Sequence, residues 1–151
     1  MPIVKINLLD SWTREEEQSI SQTIHVVLIE TLGIPDADFN HRILRFNRDT
    51  WQLPPGKSDQ YVLIEMDLFP GRHPETKAAL YKSLVTRLKD FDIPEMDIIV
   101  IINEPPLDNW GIRGGNPAIQ TELGSTDAYI RNYLYSSTCM TDNFFFTPKW
   151  L

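Results

Sequence analysis

Pro2 is the residue in this chain whose type and position most directly suggest chemistry. Initiator methionine is commonly removed before a small second residue, and the proline then exposed carries a secondary amine. An α-amino group titrates not far from neutrality, and burial beside an apolar wall lowers its pKa further. Such an amine serves as a general base when neutral and as a general acid when protonated. Pro2 leads straight into the strand-like run Ile3-Val4-Lys5-Ile6, which would hold its nitrogen in place. Taken alone, the Met-Pro start has a plainer reading with no catalytic role. The three histidines, His25, His41 and His73, show neither His-x-x-x-His nor Glu-x-x-His spacing, so no metal set is expected. His25 borders a helical apolar face and reads as a packing histidine. Cys139 is the single cysteine and has no recognisable histidine partner motif, which argues against a thiol nucleophile and excludes an internal disulfide. No cofactor is expected.

The elements that must position Pro2 are legible from periodicity. Val4, Ile6 and Leu8 alternate onto one face of a first strand. Thr13 with Glu16 forms a capping box, and Ile20, Ile24, Val27, Leu28 and Thr31 follow helical spacing until Gly33 and Pro35. His41 to Phe46 is a second strand candidate, and Tyr61 to Phe69 a third, with Val62, Ile64, Met66 and Leu68 on one face. Pro70-Gly71 turns the chain, Pro74 suits a first helical position, and Leu80, Leu84, Leu88 and Phe91 make a second helical stripe. Ile98 to Ile102 reads as a buried strand. Leu53-Pro54-Pro55-Gly56 is a loop.

The two halves are one pattern written twice. A shift of 60 residues pairs Ile6-Asn7-Leu8-Leu9 with Met66-Asp67-Leu68-Phe69, and one deletion later Ile34-Pro35-Asp36 pairs with Ile93-Pro94-Glu95. The predicted fold is α+β: tandem β-α-β units, about 2–48 and about 61–104, sharing a four-stranded sheet with two helices on one face. Each crossover is long enough for parallel pairing within its unit. A ferredoxin-like α+β sandwich is the other arrangement compatible with the pattern. Val62 occupies the place of Pro2 in the second unit, so only one unit would carry an amine. Residues 105–151 form a C-terminal extension within the same single domain. In it, Pro117 to Tyr135 suggests one or two short helices, and Phe144-Phe145-Phe146 and Trp150 suggest packing on this subunit or a neighbour.

Composition narrows the partners. The 151 residues hold 14 Lys+Arg against 21 Asp+Glu, a net charge of −7, which opposes binding to nucleic acid or an anionic membrane. The apolar run Ile98–Ile102 is far too short to span a bilayer. Asp10 and Glu15–Glu17 stand where an export signal would need apolar residues, so a cytoplasmic location is expected.

Several segments, in order, resemble the tautomerase superfamily, and its long-subunit branch that includes malonate semialdehyde decarboxylase most of all. They are Pro2-Ile3-Val4-Lys5-Ile6, Gly33-Ile34-Pro35-Asp36-Ala37-Asp38, Phe69-Pro70-Gly71-Arg72 leading into Glu75-Thr76-Lys77, and Asn103-Glu104-Pro105-Pro106 with Asn109-Trp110-Gly111. The resemblance covers roughly residues 2–115. It implies a catalytic amino-terminal proline at Pro2 and a carboxylate-binding arginine at Arg72. A guanidinium there can grip a carboxylate through two parallel hydrogen bonds and polarise a neighbouring carbonyl. Asp38 matches an acidic residue that orients water or tunes the proline in decarboxylase-like members, though a turn aspartate is the alternative. Trp110 either walls the pocket or is a core or trimer-interface aromatic, and Glu104 and Arg113 are secondary candidates. Where the decarboxylases carry a second arginine, this chain has Pro70.

The resemblance implies a cofactor-independent tautomerase or isomerase acting on a small oxo or enol carboxylic acid, assembled as a homotrimer. A decarboxylase- or hydratase-like lyase on a related oxo acid is the second reading. A non-catalytic trimeric binding protein of the same fold is the third.

Overall fold

The computed structural model describes residues 2–121. Cys139, the aromatic tail Phe144–Phe146 with Trp150, and most of the helical stretch expected over 117–135 lie outside the described residues. The order is β1 (Ile3–Leu9), α1 (Arg14–Leu32), β2 (His41–Phe46), β3 (Val62–Asp67), α2 (Pro74–Leu88) and β4 (Ile98–Asn103). A small ribbon follows, β5 (Gly111–Ile112) against β6 (Asn116–Pro117). The four long strands form one sheet in the order β2-β1-β3-β4. β1 and β2 are parallel, β3 and β4 are parallel, and β1 and β3 meet antiparallel with Ile6 opposite Ile64. This is the doubled β-α-β unit expected from the repeat, joined along its central strands.

Local chemistry explains both helices. In α1 the Glu16 N–H donates to Thr13 Oγ1 at 3.2 Å while the Thr13 N–H donates to Glu16 Oε2 at 2.8 Å, so the capping box is complete. Gly33 ends the helix in the left-handed region (φ 64°), a conformation glycine adopts at no steric cost. Pro74 opens α2 with its φ already set for a helix. The shift that pairs Ile6 with Met66 also pairs the two N-caps, Thr13 and His73. One detail differs from the sequence reading. Phe91 is not on the helix: α2 stops at Leu88 and a tight turn over Lys89–Phe91 follows, closed by Asp92 at φ 58°.

Both helices pack on one face of the sheet. Val4, Ile6 and Leu8 of β1 and Val62, Ile64 and Met66 of β3 are all fully buried there, against Ile20, Ile24 and Leu28 of α1 and Leu80, Leu84 and Leu88 of α2. Burying side chains of this size contributes roughly 1.5–3 kcal/mol each, and this layer fixes strand register. Arg45 of β2 reaches back across the layer to grip the buried carboxylate of Glu17 with two hydrogen bonds. Among the described residues no helix lies over the opposite face. It presents Ile3, Leu63, Ile99 and Ile101 beside Lys5, Asn7, Glu65 and Asp67, with Ile99 and Ile101 about two-fifths exposed. Asn7 donates to the Leu63 carbonyl (2.9 Å) and to Glu65 Oε2 (3.0 Å) across that surface. Among the described residues no helix is long and apolar enough to cross a membrane.

Candidate active site

Strand direction alone gathers the candidate residues. β1 and β2 begin at the sheet edge where the antiparallel β3 and β4 end. Pro2 precedes β1, Asp38 lies just before β2, Arg72 follows β3, and Glu104 and Trp110 follow β4. Five residues spread over 109 positions of sequence therefore share one end of one sheet.

Pro2 is buried. Its neighbour Ile3 pairs with Asp67, so Pro2 lies where β3 runs out into Leu68-Phe69-Pro70-Gly71-Arg72. On the other side the Val4 N–H donates to the Asn40 carbonyl at 3.0 Å, which brings the segment holding Asp38 alongside the start of β1. Asp38 is half-buried, and its N–H donates to the Pro35 carbonyl at 3.0 Å in the turn that follows α1. The same turn is anchored from the core by His25, whose Nε2 bonds the Asp36 carbonyl at 2.9 Å. The packing role expected for His25 holds in part, because its Nδ1 is buried without a partner.

A separate apolar cluster walls this end. Phe69, Leu107, Trp110 and Ala118 are buried together, and Ile3 and Ile112 pack on them. Trp110 meets Phe69 edge-on, with ring centroids 4.9 Å apart, and its Nε1–H donates to the Pro105 carbonyl at 3.1 Å. The cluster sits against the β1 start, so Trp110 is both a packed aromatic and part of the apolar surround of Pro2's end. The β5–β6 ribbon supports it from outside, since the Ala118 N–H donates to the Trp110 carbonyl at 2.8 Å. The residues of 111–115, with three glycines, suggest a turn. The turn is there, with Arg113, Gly114 and Gly115 all at positive φ, but it closes a two-stranded ribbon. Arg113 is exposed at its tip.

Arg72 is half-buried and its Nη1–H donates to the Phe69 carbonyl at 2.9 Å. Burial lowers its pKa, and the Glu104 carboxylate nearby works in the opposite direction. Glu104 is itself half-buried and ion-paired through Oε2 with Lys77 of α2, while its Oε1 is buried without a hydrogen-bond partner. Lys77 belongs to this site and was not among the candidates picked from sequence. Beyond its place in the Glu75-Thr76-Lys77 segment, its sequence signal is a cation in the first turns of a helix, the end where the macrodipole disfavours positive charge. Among the described residues no group of three or more His, Cys, Asp or Glu side chains is arranged to hold a metal ion.

The doubled β-α-β sheet, its units joined through β1 and β3, is a tautomerase-type fold. The chain belongs to the tautomerase enzyme family, whose model matches residues 38–113. It is 26% identical over 121 residues to the probable tautomerase YusQ of Bacillus subtilis strain 168, spanning 76% of this chain and 95% of that protein. Its fold is similar to that of a malonate semialdehyde decarboxylase inhibited by 3-bromopropiolate (TM-score 0.65, 22% identity, 87% of this chain and 96% of that one). It is similar also to native fused 4-OT (TM-score 0.70, 20% identity, 78% of this chain and 96% of that one). Another fused 4-OT of like similarity was solved as a symmetric trimer (TM-score 0.69, 18% identity, 78% of this chain and 96% of that one).

Proposed function

We propose that this protein is a cofactor-independent tautomerase in which Pro2, freed of Met1, moves a proton on a small oxo or enol carboxylic acid. The observation that carries the reading is the placement of a buried Pro2 and a half-buried Arg72 at one edge of the sheet, beside an apolar wall. The substrate carboxylate pairs with the planar guanidinium of Arg72, which fixes the reacting carbon near the amine and stabilises dienolate charge as it develops. Trp110 and Phe69 keep the amine in a dry setting. Desolvation and the Arg72 charge both disfavour protonation of Pro2, so the neutral base is populated at neutral pH. Glu104 and Asp38 set the local field around these two groups.

A lyase reading stands second, and Asp38 favours it. The Val4–Asn40 hydrogen bond runs the Asp38 segment beside β1, and a carboxylate close to the amine raises its pKa. A protonated Pro2 polarises a carbonyl or a water, as decarboxylation or hydration of an oxo acid requires.

We propose also that the protein is a homotrimer in the cytoplasm. The sheet face that no described helix covers, with Ile99 and Ile101 exposed, is the surface that three subunits would enclose. Light scattering at micromolar concentration should report three chains per particle.

The catalytic reading is tested by intact mass and by turnover of phenylenolpyruvate. Protein lacking Met1 should ketonise the enol, and Pro2→Ala should slow that by orders of magnitude. Full activity in protein that retains Met1 sinks the mechanism.

A further inference from the structure

Lys77 is a cation in an unfavourable place. It follows Pro74, Glu75 and Thr76 in α2, where the unpaired N–H groups of the helix start already carry partial positive charge. Helix stability does not account for it. Its ammonium is instead spent on Glu104, 27 residues on and beyond the end of β4. Both side chains are three-quarters buried or more, so their attraction is screened less than that of a surface pair. The charge of Glu104 in turn acts on Arg72 in the direction opposite to burial, without overcoming it. Lys77, Glu104 and Arg72 thus bring three charges to this end of the sheet, with one positive charge left over.

We infer that Lys77 is a positioning residue that holds Glu104 away from Arg72 and so keeps the guanidinium available for a substrate carboxylate. The inference rests on the reading of Arg72 as the carboxylate-binding group. Glu104 has two oxygens and only one is partnered. Without Lys77, the carboxylate would be buried with no counter-charge at its Oε2, and Arg72 is the cation to which it would turn. A guanidinium closed onto Glu104 has its forked donors occupied, and the incoming carboxylate must break that pair to bind. The loss would fall on substrate binding and not on the proton transfer, which belongs to Pro2. The arrangement also sets the substrate class. One surplus positive charge beside a fixed Glu104 suits a monocarboxylate, and a second substrate carboxylate reaching toward α2 would meet Glu104 and be repelled.

The test uses steady-state kinetics of the full chain with phenylenolpyruvate. Lys77→Gln should raise KM about tenfold or more, the range expected for a lost charge-assisted contact, while kcat stays within about twofold. Lys77→Arg should keep KM near that of the parent. In the Lys77→Gln background, adding Glu104→Gln should bring KM down again, because the carboxylate that closes on Arg72 is gone. A purely structural Lys77 would give no such recovery. Arg72→Ala separates the two ideas. If Arg72→Ala raises KM and Lys77→Gln does not, or if the double variant shows no recovery, the role of Lys77 is overturned and the reading of Arg72 survives. If Arg72→Ala leaves KM unchanged, both fall.

Discussion

Ile3 of β1 lies directly opposite Asp67, the last residue of β3. One antiparallel step beyond that pair sets Pro2 against the segment that turns through Phe69 and Pro70 to Arg72. Pro2 and the Arg72 guanidinium therefore occupy one end of the sheet because of strand register, and the register is held by Val4, Ile6, Val62 and Ile64 on the buried face.

The pH profile distinguishes the two uses of Pro2. If desolvation and Arg72 dominate, kcat/KM for enol–keto conversion should rise with pH and level off at a midpoint below the ordinary α-amino value of roughly 7.7–8.0. If Asp38 dominates, the amine stays protonated and the lyase activity should fall across the same range as pH rises. Rate measurements from about pH 5 to pH 9 decide between them.

Arg72→Ala should lower kcat/KM by roughly 30- to 1000-fold, or about 2–4 kcal/mol, through loss of a bidentate charge-assisted contact. Arg72→Lys should recover little, since an ammonium lacks the planar fork. The guanidinium's one protein hydrogen bond described here is to the Phe69 carbonyl, so the fold should survive either change, as far-ultraviolet circular dichroism would show.

The Glu17–Arg45 pair should behave asymmetrically. Glu17 is buried and Arg45 is about half exposed. Arg45→Ala leaves a buried carboxylate without its partner and should lower the melting temperature by several degrees. Glu17→Leu removes the buried charge and lets Arg45 turn to water, so its effect should be close to neutral. Equal losses in the two variants would refute the asymmetry.

His41 makes stability depend on pH in a defined window. Burial, with a smaller contribution from neighbouring His25, pushes its pKa down from 6.5 to about 4. The unfolded chain then binds a proton more readily than the native one between those values, so stability is full above about 6.5 and declines as pH falls toward 4. Ser21, whose hydroxyl lies 3.0 Å from His41 Nδ1, and Phe39, whose ring centroid lies 4.5 Å away, also face this ring. Thermal melts of the parent should lose several degrees between pH 7 and pH 4.5. His41→Asn, which does not titrate there, should flatten that slope whatever its effect on overall stability.

What the sequence determined by itself is local or repeated. Alternation in β1 and β3, the Thr13–Glu16 capping box and the Gly33 stop depend on neighbours a few residues away, so the chain states them directly. The doubled unit shows because one pattern is written twice, and Pro2 stands out as a candidate because a proline at a strand's start needs no partner to be noticed. The helix end at Leu88 was less legible, since Phe91 keeps the apolar spacing although Asp92 turns the chain at positive φ. The β5–β6 ribbon was hidden for a similar reason: two-residue strands carry no period. Only the tertiary structure decided the charge order at the site. Lys77 and Glu104 belong to different elements, and nothing in either segment names the other. Whether a cation serves its own helix, water or a carboxylate across the sheet edge depends on which groups folding brings together, and here the antiparallel join of β1 and β3 ends β3 and β4 on the side where β1 begins.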